Sequence, residues 1–104
     1  MNNEFQTVAR ASDVPIGAIA AFEIKGTRVA VANVGGKFYA FDDTCTHEQC
    51  SLAEGELVNA TVVCACHQGE FDVRTGDVLA APPQLSLKTY RVRMEGDALQ
   101  IALP

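Results

Sequence analysis

The sequence predicts an all-β sandwich or barrel whose loops carry the functional residues. Short runs rich in Val, Ile and aromatic residues are separated by glycine-containing turns along much of the 104-residue chain. No segment has a convincing helical period, and the one weak helical stretch, "SDVPIG", would give a single turn beginning at Ser12 and Asp13.

Residues 19–43 predict a three-stranded meander. They are dominated by β-branched and aromatic residues and are interrupted twice, at Lys25-Gly26 and at Gly35-Gly36. Further along, Val62 and Val63 precede a cysteine-rich loop, and residues 71–73 lead into a Thr75-Gly76 turn. This second region therefore predicts a strand, a loop and a strand.

The C-terminal segment predicts a hairpin with one buried face. Apolar residues alternate with Arg91 and Arg93, and the alternation resumes after the turn sequence "EGD". The apolar positions are Tyr90, Val92, Met94, Leu99 and Ile101.

Composition limits the class of protein. Apolar residues make up 48% and charged residues 20% of the chain, as in a single globular domain. The net charge of -5 argues against a nucleic-acid binder. No apolar run is as long as a membrane span, and the N-terminal residues do not resemble a secretory leader. We therefore expect a cytoplasmic protein that binds neither nucleic acid nor membrane, in which cysteines serve metal or redox chemistry more often than disulfides.

The negative charge is concentrated in one region. Eight carboxylates lie between Asp42 and Asp77, against the single base Arg74. The same region contains all four cysteines and both histidines. The pattern fits either a solvated loop surface or a docking face for a basic partner.

Two cysteine–histidine pairs form the candidate metal site. Cys45 and His47 give C-x-H, sixteen residues follow, and Cys64 and His67 give C-x-x-H. Two thiolates and two imidazoles suit zinc, or a [2Fe-2S] cluster with cysteines on one iron and histidines on the other.

The arrangement resembles the Rieske proteins. Phe71 follows the second histidine by four residues, "RTG" occupies 74–76, and Pro82-Pro83 comes after it. Over nearly the whole chain, the order of features is similar to the small Rieske ferredoxins of bacterial dioxygenases that act in aromatic hydrocarbon catabolism.

The resemblance implies a Rieske-type antiparallel β-sandwich over residues 1–104, with a small cluster-binding subdomain at about 42–83. One [2Fe-2S] cluster per chain is implied, with the inner iron bound by Cys45 and Cys64 and the outer iron by His47 and His67. Pro82-Pro83 would belong to the loop that covers the cluster.

Cys50 and Cys66 are left over. Respiratory Rieske proteins carry cysteines in similar places, and "CTHEQC" and "CACH" match that pattern. The resemblance implies a Cys50–Cys66 disulfide between the two cluster loops; the alternative is two buried thiols.

These features predict an electron carrier without catalytic residues. Once both histidines bind the cluster, none remains for an oxygenase iron centre, and no dinucleotide-binding fingerprint is present. The prediction is a monomeric ferredoxin that takes one electron from a flavoprotein NAD(P)H reductase and delivers it to a terminal oxygenase.

Other interpretations of the sequence stay open. The chain could be a tightly bound Rieske subunit of a larger oxidase or reductase, or a zinc-binding structural module. A cysteine–histidine hydrolase has the least support because no third orienting group is apparent.

Overall fold

A computed structural model of the chain describes residues 4–44, 50–66, 69–80 and 86–103. Within these ranges the fold is built from ten antiparallel β-strands and two single-turn 3₁₀ helices. The strands are β1 (Glu4–Arg10), β2 (Ile19–Ile24), β3 (Thr27–Val34), β4 (Lys37–Asp42), β5 (Glu56–Val58), β6 (Thr61–Val63), β7 (Glu70–Asp72), β8 (Val78–Ala80), β9 (Thr89–Glu95) and β10 (Ala98–Leu103). The 3₁₀ turns are Ala11–Asp13 and Leu52–Glu54.

Six strands form the larger sheet, in the order β1-β10-β9-β4-β3-β2. The predicted meander supplies β2, β3 and β4, and the predicted C-terminal hairpin supplies β9 and β10. The β2–β3 turn has positive φ at both Lys25 (51°) and Gly26 (82°), the backbone that tight hairpins require. Pairing of Ala40 with Tyr90 joins the meander to the hairpin.

The smaller sheet has the order β5-β6-β7-β8 and carries the cysteine-rich segment. Its β6 and β7 are the predicted strands on either side of the loop. The predicted all-β class is confirmed. The predicted helical turn is displaced: the 3₁₀ turn spans Ala11–Asp13 and so ends at Asp13, whereas the sequence predicts a turn that begins at Ser12 and Asp13. Sequence patterns did not indicate β1, β5 or β8.

Strand β3 is the centre of the fold because it is buried on both faces. Val29 and Val31 pack in an apolar cluster within the larger sheet, together with Leu99 and Ile101. The alternate residues of β3 pack in a second cluster that joins the two sheets. That cluster contains Ala30, Ala32, Phe41, Leu52, Val62, Cys64, Phe71, Val73 and Leu87. The cysteine-rich end of the molecule is thus anchored by apolar burial.

Candidate metal centre

The connection that follows β4 is closed at its base. Thr44 and Ser51 form an isolated antiparallel bridge. One residue further out on each side, the Leu52 N–H donates to the Asp43 carbonyl oxygen at 2.6 Å. The two ends of this connection, which we call the first loop (residues 45–50), therefore lie side by side.

A fully buried carboxylate lies at the base of the first loop. Asp43 accepts hydrogen bonds from the Ser51 hydroxyl at 2.6 Å and from the Ala53 N–H at 2.9 Å. The Arg28 guanidinium, whose side chain is half exposed, donates to the same carboxylate at 3.2 Å. A buried charge is tolerated when it has such donors.

The connection between β6 and β7 is also closed at its base. The N–H of Cys64, the first residue after β6, donates to the Gly69 carbonyl oxygen at 2.8 Å. The Cys64 side chain is buried in the apolar cluster that joins the sheets. We call residues 65–68 the second loop.

A disulfide joins the two loops through Cys50 and Cys66, the cysteines that the resemblance pairs; their Cα atoms are 6.4 Å apart. The sulfur atoms of Cys50, Cys64 and Cys66 all lie within 4.8 Å of one another. The disulfide therefore brings the base of the first loop to the buried Cys64.

The described part of this site fits a metal group bound through sulfur. With Cys50 and Cys66 in the disulfide, Cys64 is the thiol of this trio that could act as a ligand. The burial of Cys64 in the apolar cluster would shield its bond to a metal group from water. Cys45, His47 and His67 lie outside the described residues, so their role as ligands stays a prediction.

A third connection, between β8 and β9, contains Pro82 and Pro83, which also lie outside the described residues. Its C-terminal end is fixed by the Leu87 N–H, which donates to the Gly76 carbonyl oxygen at 2.8 Å. Gly76 has φ +85°, and a side chain there would overlap the Leu87 carbonyl oxygen. Glycine is required at this position for both reasons.

The carboxylates of the acidic region do not all belong to its surface. Asp43 is buried, and Asp42 accepts a hydrogen bond from the Tyr90 hydroxyl at 2.5 Å. Burial of the Tyr90 side chain, together with its hydrogen bond to Asp42, raises the pKa of Tyr90.

Asp72 is paired within the acidic region. The Arg74 guanidinium donates two side-chain hydrogen bonds to Asp72 and lowers the pKa of that carboxyl. Among the described carboxylates between Asp42 and Asp77, the exposed ones are Glu54, Glu56 and Asp77.

Sequence reasoning had counted Asp43 only as part of the acidic surface. The missed signal is strand alternation. Phe41 and Asp43 are two residues apart, so they point to the same face of the extended chain, and Phe41 is fully buried.

No helix in the described ranges has the length and apolar character needed to span a bilayer.

Comparison with known proteins gives the family. The Rieske [2Fe-2S] domain family matches residues 4–91. The ferredoxin component of the naphthalene 1,2-dioxygenase system of Pseudomonas aeruginosa is 37% identical over 91 residues, 88% of each chain. The biphenyl dioxygenase ferredoxin subunit of Pseudomonas sp. (strain KKS102) is 41% identical over 93 residues, 88% of this chain and 85% of that one.

Solved structures agree with the sequence relatives. A chain in the complex of reduced oxygenase and oxidized ferredoxin of carbazole 1,9a-dioxygenase superposes with a TM-score of 0.91 at 35% identity, covering 97% of this chain and 94% of that one. The fold, the buried Cys64 and the family match thus agree, and the chain belongs to the Rieske [2Fe-2S] domain family, with ferredoxin components of dioxygenase systems among its relatives.

Proposed function

We propose that this chain is an electron carrier that takes one electron from a flavoprotein NAD(P)H reductase and passes it to a terminal oxygenase. The observation that carries the proposal is the disulfide between the two loops, which brings the buried Cys64 to the base of the first loop. Each of the other predicted ligands lies in one of these two loops, Cys45 and His47 in the first and His67 in the second.

In this proposal Cys45 and Cys64 hold the inner iron and His47 and His67 the outer iron of one cluster per chain, within residues 42–83 of a single domain. When bound, a [2Fe-2S] cluster with two histidine ligands takes up and releases one electron at a higher potential than plant-type ferredoxins. Described residues of the chain would hold the two loops that carry these ligands. The hydrogen bond of Cys64 to Gly69 closes the second loop, and the contacts of Asp43 close the first.

The relatives support the oxygenase as a partner, whereas the flavoprotein reductase stays a prediction from the sequence resemblance. The related proteins are ferredoxin components of naphthalene and biphenyl dioxygenase systems, and a similar chain is part of an oxygenase–ferredoxin complex. We extend that role to this chain as a cytoplasmic monomer. The exposed Glu54 and Glu56 line a surface cavity beside Cys64, where they would face basic residues of a partner.

The test begins with the purified protein. We expect two irons and two sulfides per chain, and an EPR signal that appears on one-electron reduction, because both follow from the bound cluster. Cys64→Ser should lower the iron content about 10-fold or more, since a ligand is lost. The double variant Cys50→Ser/Cys66→Ser is the matched control, because it removes two cysteines but no proposed ligand, and it should keep its iron.

Electron transfer is tested next with NADH, a flavoprotein reductase and a dioxygenase of the related systems. Reduction of the oxygenase should require this protein. Stoichiometric zinc without iron would instead support the structural zinc module. Purification only within a larger oxidase or reductase would support the bound-subunit alternative.

A further inference from the structure

Asp43 links the parts of the chain that hold the first loop in place. Its carboxylate and carbonyl oxygens accept hydrogen bonds from three consecutive residues, 51–53, which come directly after the loop. Its own N–H donates to the Arg28 carbonyl oxygen at 3.2 Å. Both ends of the loop are thereby fixed to β3, the strand that is buried on both faces.

The disulfide fixes the same loop in a different way. It joins Cys50, at the end of the first loop, to Cys66 in the second. A dithiol can reduce this bond: Cys50 and Cys66 gain two electrons and two protons, and the dithiol becomes a disulfide. Cys66 is exposed, so a dithiol can reach it. The hydrogen bonds of Asp43 involve no redox-active group, so reduction of the disulfide removes none of their donors or acceptors.

We propose that Asp43 is a positioning residue that keeps the first loop closed when the Cys50–Cys66 disulfide is reduced, so that the bound cluster is retained in both states of the disulfide. The proposal rests on the proposed function, because it takes Cys45 and His47 of the first loop as ligands. It explains how a site with an exposed disulfide operates in a reducing compartment, where disulfides rarely persist. Asp43 acts through the loop and does not itself bind the cluster.

The test uses three variants that are chosen from the hydrogen bonds of Asp43. Asp43→Ala removes the acceptors for the Ser51 hydroxyl, the Ala53 N–H and the Arg28 guanidinium. The first two donors are partly buried and lose their partner, whereas the half-exposed Arg28 can turn to water. Asp43→Asn keeps one oxygen for the Ala53 N–H but turns an amide toward the other donors, so it should restore part of the loss. Ser51→Ala removes a single donor and leaves the carboxylate in place. It provides the test if the Asp43 variants do not fold.

Asp72→Asn is the matched control. Like Asp43, Asp72 accepts hydrogen bonds from an arginine side chain and from a backbone N–H, both of Arg74. It lies on β7, outside the first loop. Asp72 is less buried than Asp43, so this variant tests whether the loss of an aspartate–arginine contact away from the first loop has the same effect.

Each protein is challenged with an iron chelator, with the disulfide intact and after dithiol reduction. For the natural chain, reduction should change the rate of iron loss less than about 3-fold. For Asp43→Ala, reduction should accelerate iron loss about 10-fold or more, with Asp43→Asn and Ser51→Ala in between. Asp72→Asn should behave as the natural chain. A general loss of stability would raise the rates in both disulfide states, so the dependence on the disulfide isolates positioning.

Two results would overturn the proposal: immediate iron loss from the natural chain when its disulfide is reduced, or equal behaviour of Asp43→Ala and Asp72→Asn. Hydrogen exchange of the Leu52 and Ala53 amides provides a readout that does not depend on iron. These amides should stay protected in the natural chain after reduction and should exchange faster in Asp43→Ala. If these amides exchange equally in both proteins, the proposal for Asp43 fails while the electron-carrier function stands. If the purified protein contains no iron, the electron-carrier function fails, while the exchange result still tests the role of Asp43.

Discussion

At the scale of single residues, the sequence predicted which side chains could bind a metal better than it predicted which side chains contact one another. The spacing of cysteines and histidines led to the family, and the resemblance paired Cys50 with Cys66, as the structure does. The partners of Asp43 could not be predicted in the same way. Arg28 is 15 residues away from it in the sequence and Ser51 is eight, and only the pairing of β3 with β4 and the closed first loop bring them together.

Tyr90 gives a prediction at this scale, because its hydroxyl is bonded to Asp42. Burial and this bond raise the pKa of Tyr90 in the folded protein above the ordinary tyrosine value of about 10. Above that pH the folded protein binds more protons than the unfolded chain, so the free energy of unfolding should fall as the pH rises.

Tyr90→Phe should remove this alkaline loss and cost about 1 kcal/mol at pH 7, because the hydrogen bond is partly exposed to solvent. Denaturant unfolding between pH 7 and pH 11 measures both effects. Tyr39→Phe is the control, since it keeps the Tyr90–Asp42 bond and should keep the alkaline decline. An equal decline in the natural chain and in Tyr90→Phe would contradict the assignment.

At the scale of elements, local patterns predicted the strands that have local partners. The meander and the hairpin pair across short turns, so alternation and turn residues suffice to identify them. By contrast, β1 pairs with the other end of the chain, with Glu4 opposite Leu103, and its register shifts between Thr7 and Ala9. The strands β5 and β8 have three residues each, too few for alternation to be recognised. The equally short β6 and β7 were predicted because they flank the cysteine-rich loop.

Gly55 gives a prediction at this scale. It follows the 3₁₀ turn Leu52–Glu54 and packs against β6, the strand that precedes Cys64. A Cβ atom on Gly55 would overlap the Val63 carbonyl oxygen, whereas its φ of -87° is open to any residue. Gly55→Ala should therefore force the turn away from β6, lower the stability by about 1–3 kcal/mol, and reduce the iron bound at purification.

The matched control for Gly55→Ala is Gly96→Ala, in the β9–β10 turn. Gly96 has φ +64° and no neighbour near the added methyl group, so alanine there should cost about 1 kcal/mol through backbone strain and leave the iron content unchanged. Thermal unfolding and iron analysis of both variants test the difference. Full iron content in Gly55→Ala would show that the turn and β6 can separate without disturbing the site.

At the scale of the whole molecule, the charge is divided unevenly between the two sheets. The exposed carboxylates Glu54 and Glu56 lie on the cysteine-rich side, next to Cys64. On the larger sheet, the guanidinium groups of Arg91 and Arg93 lie over the Phe5 ring at 5.7 and 4.3 Å. The molecule therefore presents an acidic surface beside the proposed cluster and cationic groups on the other sheet. The sequence indicated the acidic region but not which of its carboxylates are exposed, because that depends on tertiary partners such as Arg74 and Tyr90.

This division predicts that electron transfer to the proposed oxygenase partner depends on salt. Exposed charges attract a basic partner over about one Debye length, which is about 10 Å at 0.1 M salt and 3 Å at 1 M. The bimolecular rate should therefore fall as ionic strength rises. The variant Glu54→Gln/Glu56→Gln should lower the rate at low salt about 3-fold and match the natural chain at high salt, because rim charges act mainly on association.

The control variant, Glu95→Gln/Asp97→Asn, removes the same charge from the end of the larger sheet, where both residues are exposed near the β9–β10 turn. Stopped-flow reduction of the oxygenase at several salt concentrations compares the variants. If attraction is local to the cysteine-rich side, the control should retain most of the low-salt rate. Equal losses in the two variants would mean that net charge, and not the acidic surface beside Cys64, guides the encounter. A rate indifferent to salt in the natural chain would exclude electrostatic guidance and leave apolar contact as the basis of docking.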